Sequence, residues 1–166
     1  MSDTYDYFTE ILDGKKPAGY VSSITDEERI DAKRANLQIG VCQETGSSFP
    51  VTVIAHKGAA IDILARAPDT FSDFPFAHHL SSLIDQIKEM SIFEAILFLL
   101  PHKDYGRCPE IDVCVGLLFG YPPCCIRYFV EIRYLGVPYS REEDRSHTAN
   151  AGRVLCKECR KAYSRT

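Results

Sequence analysis

Two pairs of cysteines constrain this chain more than any other feature: Cys124-Cys125, and Cys156-Lys157-Glu158-Cys159 near the C-terminal end. Two residues between cysteines let both sulfurs face one point, with the intervening amides able to donate to the thiolates. That is half of a tetrahedral zinc site. The upstream pair supplies the other half. Gly120, Pro122 and Pro123 fix a turn, and the two cysteines then open a helix. Unpaired amides and the positive end of the helix dipole favour thiolates at such a position. The sequence therefore predicts a metal held by Cys124, Cys125, Cys156 and Cys159.

One geometric difficulty attaches to the upstream pair. Adjacent helical residues point about 100° apart, so both sulfurs reach one ion only with distortion. The alternative is that one of them packs and another residue, first of all His147, completes the set. Zinc ranks first among cofactors. An iron–sulfur cluster also takes four thiolates, but this spacing follows no ferredoxin pattern.

The remaining cysteines read differently. Cys114 is in helical register with Ile111, Val115 and Leu118, and Cys42 falls in a predicted strand, so both are expected in the core. Cys108 precedes Pro109; together with His102 and Asp104 it forms a looser second candidate site. His78-His79 and His56 read as surface histidines, and His102 as a loop histidine more than as an acid or base.

The chain has 166 residues, 45% of them hydrophobic and 25% charged, which suits a single domain with its own core. Within it, 1–100 reads as an α+β body and 101–166 as a cysteine-rich metal-binding lobe. Hydrophobic spacing predicts helices over 2–12, 25–36, 77–90, 109–119 and 124–135. The helix at 25 carries a capping box, Thr25 with Glu28. Short β-branched runs at 37–43, 49–56 and 61–65 suggest an antiparallel meander. The apolar run 93–100 reads as a buried strand, 68–75 as a loop, and 140–150 as a solvated loop or a short helix. The expected fold class is α+β: a small antiparallel sheet packed with helices, and a zinc-stapled helical lobe at the C-terminal end.

The motif Gly120-Tyr121-Pro122-Pro123-Cys124-Cys125-Ile126, with Phe129 after it and a terminal C-x-x-C, resembles a pattern of small uncharacterised microbial proteins that share a Gly-Tyr-Pro-x-Cys-Cys turn. The resemblance is local. It implies joint use of the two cysteine pairs on a metal and brings no activity with it. The residues before Cys156, Gly152-Arg153-Val154-Leu155, are similar to the strand that leads into a zinc knuckle.

Charge narrows the choice of partner. The net charge of −4 argues against a dedicated nucleic-acid binder. From Arg127 onward, however, nine Lys/Arg face five Asp/Glu, a basic tail on an acidic body. The longest apolar runs, 95–100 and 113–119, are far shorter than the ~20 residues of a membrane helix. No stretch reads as a targeting signal, so a cytoplasmic, reducing setting is expected, where paired cysteines are metal ligands or redox groups before they are disulfides.

Three functions follow. The first is a binding or adaptor module with a structural zinc, presenting Arg153, Lys157, Arg160 and Lys161 to a protein or, less favoured, a nucleic acid. The second is a thiol redox protein using Cys124/Cys125 or Cys156/Cys159. The third is a metal-dependent hydrolase with Glu131 or Glu158 as general base. No phosphate loop, nucleophile elbow, H-E-x-x-H or deaminase His-x-Glu is present.

Overall fold

In a computed structural model the residues described are 7–21, 23–43, 50–102, 108–138 and 156–164. The chain is α+β, with a three-stranded antiparallel sheet and helices around it. The strands are β1 (Ala18–Val21), β2 (Gln38–Cys42) and β3 (Val51–Ala55), in the order β1-β3-β2. β3 is central, with Ala18 opposite Ala55 on one side and Cys42 opposite Val51 on the other.

Successive strand residues point to opposite faces, and β3 has an apolar layer on each. Ile54 packs with Phe8 and Ile11 from α1 (Tyr7–Leu12), Ala32 from α2 (Asp26–Arg34) and Leu37 just before β2. Val53 and Ala55 face the larger cluster on the other side. Two glycines allow the helices close. A Cβ on Gly19 would lie 2.9 Å from Ile11 Cδ1, and one on Gly40 would lie 2.6 Å from the Phe93 ring.

The larger cluster is built by α3 (Ala60–Leu64), α4 (Ala67–Thr70), α5 (Ala77–Ile87), α6 (Ile92–Leu99) and α7 (Pro109–Leu118). A helix buried on most of its circumference belongs at a centre. α7 is such a helix, buried from Ile111 through Gly116 and again at Leu118. Its one charged buried side chain, Asp112, accepts a hydrogen bond from the Tyr134 hydroxyl. Because α7 shares this core, the main apolar cluster runs across position 100.

The sequence-derived elements hold for the Thr25 capping box and α2, for β2 and β3, and for α5 and α7. Three expectations are corrected. The run 61–65 is a helix, α3, because β3 already has a neighbour on each edge and no place remains for a further strand beside it. The run 93–100 is also helical. Ser91 and Glu94 form a capping box, and the apolar run is continuous because α6 is largely enclosed. The loop expected at 68–75 contains the end of α4. The missing third strand is β1, too poor in β-branched residues to signal itself. The expected start of α1 at 2–6 and the segment 140–150 lie outside the described residues. Among the described residues, no helix is long and apolar enough to cross a membrane.

Candidate metal centre

α7 ends in a Schellman motif. The Gly120 amide donates to Leu117 O at 2.9 Å and the Tyr121 amide to Gly116 O at 3.0 Å, with Gly120 at φ 78°. A side chain at Gly120 would meet Pro17 Cδ at 2.7 Å, so the turn is pressed against the chain entering β1. Pro122 then caps α8 (Pro123–Tyr134), and its carbonyl accepts from both the Cys125 and Ile126 amides, at 3.0 and 3.1 Å. α8 lies close along α7: a Cβ on Gly116 would approach Ile126 Cγ1 to 3.0 Å.

Arg127, on the first turns of α8, fixes the helix to the body. Its guanidinium donates to both Asp73 carboxylate oxygens, at 2.8 and 3.1 Å, and to Thr70 O at 2.7 Å. It also lies over the rings of Phe71 and Phe74, 5.6 and 4.6 Å from their centroids. Arg127 holds the Asp73 carboxyl below the usual carboxylate range through that hydrogen bond. Sequence reasoning missed this latch. Its only trace is the placement of Arg127 three residues after Cys124, on the same side of a helix.

With α8 fixed, Cys124 and Cys125 meet Cys156 and Cys159, which flank the start of α9 (Lys157–Ser164). The short basic tail expected after Cys159 is thus helical. The four sulfurs all lie within 4.8 Å of one another, and the sulfurs of Cys124 and Cys159 are 3.5 Å apart. All four cysteines are free thiols, and a disulfide would need about 2.0 Å. Cys125 and Cys156 are buried at 2% and 9% exposure, Cys159 is half-buried and Cys124 exposed. Tyr128 packs against the cluster. The adjacent cysteines of α8 therefore bring their sulfurs to one point despite their angular spread.

The electrostatics correct one expectation. Burial raises the Cys125 thiol, outweighing the Cys156 amide that donates to it. At Cys156, burial also acts upward, but the Cys159 amide and the surrounding thiols donate to its sulfur and bring it below the usual value. Cys159 is raised, by burial first and then by donating to the neighbouring sulfurs. The thiol hydrogen bonds thus favour a thiolate at Cys156 over Cys125 and Cys159, and a cation completes such a donor set by displacing the thiol protons.

Other candidates fall elsewhere. Cys114 is fully buried, its thiol pushed up to about 12 mainly by burial. Cys42 is buried at the end of β2. Cys108 precedes α7 as its cap residue. His102 Nδ1 lies 2.7 Å from Phe98 O. His56 is no plain surface residue: its Nε2 donates to Ile11 O at 2.5 Å, tying β3 to the end of α1. His78 and His79 are exposed. His147, Asp104 and Arg153 lie outside the described residues, as does the side chain of Arg160.

A cavity of about 390 Å³ opens beside the sulfurs, lined in part by Cys124, Cys156, Arg127, Lys157, Glu131 and Glu158. Both carboxylates considered as general bases therefore stand near the cluster, and Glu158 lies 3.5 Å from Lys161.

These observations define an α+β protein with a four-cysteine cluster that can hold a metal ion. No family model, curated protein or solved structure matches the chain.

Proposed function

We propose that this chain is a zinc protein, with Cys124, Cys125, Cys156 and Cys159 as ligands of a structural ion, and that it works as a binding or adaptor module. The observation that carries the reading is the convergence of four free sulfurs from two distant segments within 4.8 Å of one another. Four sulfurs at about 2.3 Å from one zinc stand about 3.8 Å apart in a tetrahedron. The cluster sits near that spacing. Thiolates around an iron–sulfur cluster stand farther apart, because several irons and sulfides lie between them, which favours a single ion.

Four protein ligands close the coordination sphere. That supports a structural ion and weighs against a hydrolase, which keeps one position for water. Reduced thiols of this kind suit a reducing compartment, which favours the cytoplasm. The suggested partner is a protein that meets the surface around α8 and α9, where Leu135, Val137 and Lys157 are exposed. A nucleic-acid partner is the second reading, and its binding would weaken steeply with salt.

Elemental analysis of the purified chain tests the metal. The expected result is one zinc per chain, with all four thiols titrating rapidly only after a chelator is added, and loss of the metal in Cys156→Ser and Cys159→Ser. Metal-free protein with a reducible disulfide would replace this reading with the redox one. Iron with visible charge-transfer bands would replace zinc with an iron–sulfur centre.

A further inference from the structure

The four sulfurs differ in what can reach them. Cys125 and Cys156 are buried, Cys159 is half-buried, and Cys124 is exposed. Two of the four, the exposed Cys124 and the buried Cys156, line the cavity of about 390 Å³. It far exceeds the ~30 Å³ that a water molecule occupies in the liquid, so a molecule the size of a peroxide has ample room. Across the two motifs, the Cys124 sulfur lies 3.5 Å from that of the half-buried Cys159, while its other partner there, Cys156, is buried. The redox pairs suggested by sequence were neighbours within each motif, and this contact runs across them.

We propose that Cys124 is the peroxide-reactive ligand of the metal centre, and that its oxidation closes a Cys124–Cys159 disulfide and expels the ion. The inference rests on the metal reading above. In the first step the Cys124 thiolate attacks one peroxide oxygen. An S–O bond forms, the O–O bond breaks and hydroxide leaves, giving a sulfenic acid. In the second step the Cys159 thiolate attacks the Cys124 sulfur, the S–S bond forms and a second hydroxide leaves. Two thiolates lose two electrons in all, and the peroxide gains them. Two protons taken from solvent turn the hydroxides into water. The sulfurs must approach from 3.5 Å to about 2.0 Å. Cys125 and Cys156 alone then hold the ion, and a two-thiolate remnant does not retain it. α9 stays joined to α8, now by a covalent bond. A thiol reductant and zinc restore the starting state.

The test treats the metal-loaded protein with hydrogen peroxide, follows released zinc with a chromogenic chelator, and maps disulfides by peptide mass. The expected result is one ion released per disulfide, with Cys124 joined to Cys159. Cys124→His keeps a zinc ligand and removes the reactive sulfur, so release should slow by about tenfold or more. A Cys156–Cys159 disulfide, or unchanged release from Cys124→His, would overturn the proposal. If that variant fails to load, limited alkylation of the wild-type loaded protein decides. Cys124 labelled before the other three supports the proposal, and any other order defeats it. Protein isolated without metal would defeat the metal reading instead, whereas loaded protein inert to peroxide would defeat this inference alone.

Discussion

Arg127 does for α8 what a covalent tie would do. It joins the turns that carry two of the cysteines to Asp73, to the Thr70 carbonyl and to two aromatic rings. Arg127→Met keeps the apolar stem and removes the guanidinium. The lost hydrogen bond to Thr70 and the lost ring contacts together account for about 1–2 kcal/mol. The expected result is a lower urea midpoint with an unchanged slope, accompanied by weaker metal retention against a chelator. Lysine should not substitute, because a point charge cannot reach both carboxylate oxygens and the carbonyl in one plane. The part of this latch that depends on the Asp73 charge is present at neutral pH. It fades as pH falls through the lowered pKa of that carboxyl.

Elements divide between those whose ends are written locally and those set by their surroundings. α6 belongs to the first group. The Ser91 hydroxyl accepts from the Glu94 amide at 3.1 Å, and the Ser91 amide donates to Glu94 Oε2 at 3.4 Å. Ser91→Ala should cost about 1 kcal/mol, visible as a lower thermal midpoint with helix content retained; a change within error would mean that packing alone holds α6. The same signal marked α2 in the sequence. At α6 it was masked by the uninterrupted apolar run that follows, which a buried helix and a buried strand share. β1 had no local signal at all, since Ala18 and Gly19 gain their place from pairing with Ala55 and Ile54. The cysteine spacing made the candidate ligands legible, because two residues between sulfurs is a geometric statement in itself. The crosswise contact of Cys124 with Cys159 and the Arg127 latch were not legible, because each joins positions whose proximity only the packed fold determines.

At the scale of the whole molecule, the main apolar cluster includes none of the four site cysteines. Removing the ion should therefore leave the body folded and loosen α9 alone, a loss that amide exchange would place in residues 157–164. Acid should do what the chelator does. Metal binding requires the thiols to lose protons, and burial raises those of Cys125 and Cys159. Occupancy should fall as pH drops below neutral and return when it rises; occupancy flat down to the carboxylate range would show that sulfur does not hold the ion. The contact between residues 35 positions apart has another consequence. An ion that fastens them closes a loop, and for a closure of that length the freedom removed from the unfolded chain corresponds to about 4 kcal/mol. That quantity grows only with the logarithm of loop length, by about 0.6 kcal/mol for each doubling. The connection between α8 and α9 can therefore lengthen or shorten with little effect on the closure, provided the knot itself is kept.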